Sequence, residues 1–315
     1  KMRLHSAAAA RFPAIITGKS AEIFATAFAL PIMQSLFPPS VPPQRSSVSG
    51  RIFSISAASA KGLSKASELI SGIMMPTPSA VLKAMTLLAD GTPSEPGIGE
   101  LIAVDVGGAT TDVYSIASGM PTHSDTVFKG LPEPYAKRTV EGDIGMRYSV
   151  HGICEAAGLS KIARLSGISE SRCAELADFL GANTETLPGG DPELEAFDRA
   201  LACSAVETAV TRHAGTMEEA YTLMGLTFVQ SGKDLTGAER IVVTGGSLIH
   251  TDKTGEIAAH ALFDPANPAS LKPKKAEILV DRKYILSAMG LLSEHYPKTA
   301  LRIMKKELEN DGYQQ

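Results

Sequence analysis

The sequence predicts an α/β fold carrying a helical insert, and three observations point there. Two short runs, Leu101–Val106 and Arg240–Thr244, are apolar and β-branched like buried strands, and each is followed by a glycine pair. Stretches with helical spacing flank both runs. Between the runs, residues 159–232 read as mostly helical, punctuated by Gly181 and Pro188-Gly189-Gly190.

Composition sets the outer bounds. A chain of 315 residues, 44% of them hydrophobic, can bury a substantial core. Its length suits about two domains, or one large domain with an insert. The net charge of -4, from 30 Lys+Arg against 34 Asp+Glu, gives no pull toward nucleic acid or anionic membrane. Aromatic residues make up 5% and Trp is absent, which disfavours base-stacking and sugar-stacking faces. Cys154, Cys173 and Cys203 form no CxxC pair and read as reduced thiols of a cytoplasmic protein.

The elements follow in chain order. Ile23–Phe37 is apolar but broken by Pro31, and it falls short of the roughly 20 residues of a spanning helix. Arg11, Lys19 and Glu22 interrupt a signal-peptide pattern. Pro38–Ser59 is a Pro/Ser-rich linker, so residues 1–60 are expected to be a poorly defined remnant ahead of a domain over 61–315. Lys61–Ile73 has helical spacing. Thr77 is placed to cap a helix with Pro78 at its first position, running to Ala89 and closed by Asp90-Gly91. Glu95–Gly99 is a turn. Leu101–Val106 then turns through Gly107-Gly108 into a second strand, Thr111–Ile116, and a short strand is expected around Thr126–Phe128. Helical spacing resumes over Gly145–Ala157. Within the insert, helices are expected at Ile162–Leu165, Ser171–Leu180, Pro192–His213 and Thr216–Val229. Arg240–Thr244 precedes a helix over Glu256–Leu262, a strand over Ala276–Val280, a helix over Lys283–Tyr296 and a helical tail from Lys298.

Three motifs carry chemistry. In Asp105-Val106-Gly107-Gly108-Ala109-Thr110-Thr111-Asp112, glycines let backbone amides face an anion and the threonines add hydroxyl donors. Asp105 and Asp112 would hold Mg²⁺ through water or orient an attacking water, with Asp105 the first choice as the metal residue. The plainer alternative is an ordinary hairpin with a solvated aspartate. Thr244-Gly245-Gly246-Ser247 suits close contact with a flat ligand or sugar, or simply a tightly packed strand-to-helix turn. Around Glu141-Gly142-Asp143, charges of both signs precede an expected helix, whose N-terminus could meet an anion or metal; the alternative is a helix start capped by Thr139 or Asp143. No Walker loop, GxGxxG fingerprint, GxSxG elbow or HExxH pair is present.

The order of these pieces resembles the second half of an actin/Hsp70/sugar-kinase (ASKHA) ATPase domain. That resemblance implies an actin-like, ribonuclease H-like lobe, with Pro76–Ala80 in the first connecting helix and Ser287–Leu291 in the second. It makes Asp105–Asp112 the second phosphate motif and Val243–Ser247 the adenosine motif. The stretches "AKGLSKASELISGIMMPTPSAVLKA", "VDVGGATTDVYS" and "GLPEPYAKRTVEGDIGMR" further resemble the MutL/GlmL family, over Ala60 to about Tyr296. The implied protein binds ATP or ADP with Mg²⁺ and is a chaperone-like reactivating factor for an adenosylcobalamin-dependent mutase of the glutamate mutase type. Its implied partners are mutase subunits, with a homodimer open and neither nucleic acid nor membrane involved. Nothing before Lys61 resembles the first phosphate motif of such ATPases, so the N-terminal lobe is expected to be incomplete or missing and ATP hydrolysis is left open. A small-molecule kinase of the same fold and a non-catalytic mutase-interaction module are the alternatives.

Overall fold

A mixed six-stranded sheet forms the centre of the computed structural model, which describes residues 75–122, 125–223 and 225–312. The expected linker over 1–60 and the helix over Lys61–Ile73 lie outside the described residues.

Helix α1 (Thr77–Asp90) carries Pro78 in its first turn, where a missing amide donor costs nothing, and Thr77 is its first residue rather than its cap. It stops at Gly91, whose φ of 77° favours glycine. A small hairpin, β1 (Gly91–Thr92) with β2 (Glu95–Pro96), leads into β3 (Leu101–Val106). β3 and β4 (Thr111–Ile116) form the expected antiparallel pair, with Asp105 directly opposite Asp112. β5 (Thr126–Lys129) leaves this sheet, and β6 (Ala136–Glu141) returns to pair antiparallel with β4.

β6 corrects the expectation that the charged stretch before Gly142 leads straight into a helix. Arg138 and Val140 face out while Lys137, Thr139 and Glu141 are half-buried, so the mixed charges belong to an edge strand. The helix comes later, at α2 (Val150–Ala157), followed by α3 (Leu159–Ser166), α4 (Glu170–Ala182) and α5 (Pro192–His213). α5 has the boundaries the sequence predicts, because Asp191 accepts from the Glu193 and Leu194 amides and Pro192 fits the first turn.

The helix expected over Thr216–Val229 is instead a hairpin, β7 (Thr216–Thr222) with β8 (Gly225–Ser231). β5 pairs parallel to β8 from across the chain, and Thr216, Tyr221, Thr222, Phe228 and Val229 are β-branched or aromatic. The close contact of Gly215 with Ser231, where a Cβ would fall 2.6 Å from the Ser231 carbonyl oxygen, pins the base of this hairpin. Then come β9 (Arg240–Thr244), α6 (Gly246–Ile249), α7 (Thr254–Ala258), a 3-10 turn (Ala259–Ala261) and β10 (Glu277–Val280). α8 (Leu286–Leu292) starts later than expected because Asp281–Tyr284 forms a turn, with Tyr284 at φ 53°. α9 (Pro297–Glu307) and β11 (Glu309–Asn310) finish the fold.

The sheet order is β11-β10-β9-β3-β4-β6, with β9 parallel to both β3 and β10. One face buries Leu101, Ala103, Tyr114, Ile116 and Val242 against α1, α8 and α9. The other buries Ile102, Val104, Val113, Ile241 and Val243 against a cluster that includes Phe197 and Leu201 of α5, Leu248 of α6 and Ile257 of α7. Covering both faces is why β3 up to Val104 and β9 from Ile241 to Val243 read as continuous apolar runs, each large side chain contributing about 1.5–3 kcal/mol. α1 and α8 cross in backbone contact: a Cβ on Gly290 would fall 1.8 Å from the Ala80 carbonyl oxygen. No helix among the described residues is long and apolar enough to cross a membrane.

Candidate functional site

The carboxyl ends of the parallel strands β3, β9 and β10 open at one edge of the sheet, the usual place for a ligand in an α/β fold. Asp105 of β3, Thr244 of β9 and Asp281, the residue after β10, line a crevice there. Thr77 and Val81 of α1 cover it, together with Tyr284, Leu286 and Ser287. Its volume of about 10 Å³ is room for about one water molecule.

Asp105 is flanked in register by Asp112 on β4 and Thr244 on β9. Burial pushes its carboxyl up to about 7; the charges of Asp112 and Asp281 add to this and Arg138 opposes it. Asp112 is also raised by burial, against the pull of Arg138, whose Nε lies 2.7 Å and whose second guanidinium nitrogen lies 2.6 Å from Oδ1. Asp281 is buried, which raises it, and it accepts from the Ile285 amide (2.9 Å), the Leu286 amide (3.2 Å) and the Thr244 hydroxyl (3.3 Å).

The turn after β3 is closed by the Gly107 amide donating to the Thr110 carbonyl at 2.9 Å. Its carbonyls accept hydrogen bonds from residues 146–149. Met146 donates to Gly107, Arg147 and Tyr148 donate to Gly108, and the Ser149 hydroxyl donates to Ala109 at 2.7 Å. Gly108 and Ala109 are exposed, and their amides donate to no backbone carbonyl among the described residues. That leaves two adjacent exposed residues whose amides have no backbone acceptor, the minimum of an anion cradle. Thr110 hydrogen-bonds Asp112. The Thr111 hydroxyl is buried and donates to the Ile144 carbonyl at 3.0 Å, so it braces the loop beneath. Arg147 anchors that loop, its guanidinium meeting Asp198 of α5 at 2.7 and 3.2 Å.

Gly245, at φ 97°, lies against this turn. A Cβ there would fall 2.4 Å from the Val106 carbonyl oxygen and 2.9 Å from Asp105 Oδ1, so Gly245 packs on the end of β3 just before the Gly107-Gly108 turn. Gly246 and Ser247 follow as the first residues of α6, half-buried. Glu141 and Asp143 stand one strand further out, with Glu141 opposite Thr111. Both are bound by Arg212 from the end of α5, each at 2.8 Å, and that guanidinium holds Asp143 below the usual carboxylate range. Neither sits at a helix N-terminus, because α2 begins only at Val150.

The family described as MutL protein matches residues 6–308. The chain belongs to the MutL family. Protein MutL from Clostridium tetanomorphum is 44% identical over 277 residues, which is 88% of this chain and 60% of that relative, so the chain spans well under the whole length of the protein it matches. The MutL match begins before Ala60 and so reaches into the segment set apart from the resemblance above. Two of the stretches that carry the resemblance fall on the β3–β4 hairpin and on the β6 strand and loop that support it.

The fold thus brings Asp105, Asp112, Gly107, Gly108, Ala109 and Gly245 together and leaves Glu141 and Asp143 in a separate ion cluster. Asp281 and Arg147 escaped the sequence reading as site residues. A carboxylate directly after an apolar strand is the same signal that marks Asp105, but Asp281 lacks the following glycine pair. Among the described residues no group of three or more His, Cys, Asp or Glu side chains could hold a metal ion. Mg²⁺ typically uses one or two carboxylates with waters and phosphate oxygens, and Asp105, whose carboxylate accepts no hydrogen bond among the described residues, fits that demand.

Proposed function

We propose that this MutL-family chain binds ATP or ADP with Mg²⁺ on an actin-like, ribonuclease H-like lobe. In this reading it serves an adenosylcobalamin-dependent mutase of the glutamate mutase type as a chaperone-like reactivating factor. The observation that carries the nucleotide reading is the close approach of Gly245 to Asp105 and Val106, the end of β3 that leads directly into the Gly107-Gly108 turn. Strand order supports the lobe type: antiparallel β3, β4 and β6 on one side, then β9 and β10 parallel to β3 on the other.

The residues divide the work by their surroundings. The Gly108 and Ala109 amides face phosphate oxygens, with the Thr110 hydroxyl beside them. Asp105 holds the cation through water, and Mg²⁺ when bound supplies neutralisation of phosphate charge. Asp112, tied to Arg138, sets the local field rather than touching the ligand. Gly245, Gly246 and Ser247 form the flat side on which an adenosine can rest. In this reading the phosphates lie on the hairpin side, which the small volume of the crevice beside Asp105 supports, since it has room for about one water molecule.

Titration calorimetry tests this directly. Wild-type protein should bind ADP and ATP only weakly without Mg²⁺ and more tightly with it, and Asp105→Ala should lose about tenfold or more of the Mg²⁺-dependent part. No heat with either nucleotide sinks the nucleotide reading. Co-purification with mutase subunits tests the partner, and ATP turnover measured beside it decides between an ATPase and a binding-only module.

A further inference from the structure

The three-stranded sheet β5-β8-β7 presents an apolar patch at the far end of its hairpin. Tyr221 is 83% exposed and stands directly opposite Leu226, itself 48% exposed, while Leu223 at the turn is fully exposed. Large apolar side chains this bare, and adjacent, mark a contact surface more often than chance. β7 is the outer strand of its sheet. Thr216 and Met217 are covered at its base by Ser270 and Ala269, and no strand lies along its remaining outer edge among the described residues.

Charge selects the occupant. Glu219 shares the face of Tyr221 and sits opposite Phe228, while exposed Glu218 points to the other face of the same edge. A second copy of this chain pairing edge to edge would bring these glutamates together, which is the usual way an edge strand is protected from itself. An anionic lipid surface meets the same repulsion. A protein segment that is extended, apolar on one face and flanked by lysine or arginine meets neither.

We propose that β7 is a docking edge for such a basic-flanked, extended segment of a protein partner, with Tyr221, Leu223 and Leu226 as its apolar contact. The inference rests on the reading that the chain serves a mutase, so the mutase subunits are the probe.

The test measures binding of purified mutase subunits to the full chain by biolayer interferometry. Leu223→Asp and the double variant Tyr221→Ser/Leu226→Ser should each weaken binding by about tenfold or more. Glu219→Lys should weaken it at low salt and much less at high salt. All these positions are exposed, so unchanged melting temperatures and unchanged Mg²⁺-nucleotide binding check that the fold is intact. Wild-type binding that every variant retains overturns the docking edge alone. Wild-type chain that ignores the mutase overturns the mutase reading and this occupant together. Self-association in the ultracentrifuge, or flotation with phosphatidylserine vesicles, that the same substitutions abolish while mutase binding persists overturns it in favour of a second copy or a membrane.

Discussion

Burial, together with the charges of Asp112 and Asp281, lifts the Asp105 carboxyl to about 7, so in the folded protein its ionisation is resisted near neutral pH. The unfolded value is about 3.9. The stability this group contributes is therefore fully present below about pH 4 and is lost as pH rises through the folded value. Asp105→Asn should then be more stable than wild type at about pH 8, by up to about 4 kcal/mol, with the gain vanishing toward about pH 4. Urea unfolding at both pH values checks it, and a pH-independent difference would contradict it. The same variant should lose Mg²⁺-dependent nucleotide binding, a trade of function for stability expected where a charge is held in an unfavourable place. His213 has the opposite sign. Burial first, then Lys137 and Lys233, push it down to about 3, and it stays neutral between the Ser115 and Thr139 hydroxyls at 2.8 and 2.7 Å. What it contributes is full above about 6.5 and lost as pH falls from there toward 3. His213→Gln should flatten that acid limb in pH-dependent thermal melts.

Elements meet in this fold where side chains are missing. At the crossing of α1 and α8, Gly290→Ala would drive a methyl into the Ala80 carbonyl, with backbone rather than a flexible side chain in the way. A loss of about 1–3 kcal/mol is expected, read as a lower calorimetric melting temperature. An unchanged melt would mean the helices separate freely. Elements also show what was legible. β9 and α5 were readable to the residue, since an apolar β-branched run and an Asp-Pro cap are local signals. β7 was not, because Met217, Ala220, Tyr221 and Met224 imitate helical spacing and Glu218-Glu219 favour helix. What decides it is pairing of β8 with β5, a contact made across the chain that no local window contains. β6 was hidden in the same way by its charges, which suit an edge strand as well as a turn.

At the scale of the molecule, the candidate site joins two turns that the sequence holds far apart. Mg²⁺-ADP should slow hydrogen exchange at 107–110 and at 245–247 together, with little change in the β7–β8 hairpin. Protection of only one turn would count against a shared nucleotide. The glycine pairs and the carboxylate of Asp105 were visible in the sequence, but the contact of Gly245 with Asp105 and Val106 was not, because it depends on β3 and β9 lying side by side. Asp281 became a site residue for the same reason.

The parallel pairing of β3 with β9 also sets an order of events during synthesis. β3 and β4 can close into a hairpin as soon as they emerge, yet the other edge of β3 stays open until the chain has been made through Thr244. Everything from β5 to β8 is produced meanwhile. A ribosome-bound intermediate halted before β9 therefore carries a bare, apolar strand edge, which makes it the stage most exposed to aggregation and most in need of a holding chaperone.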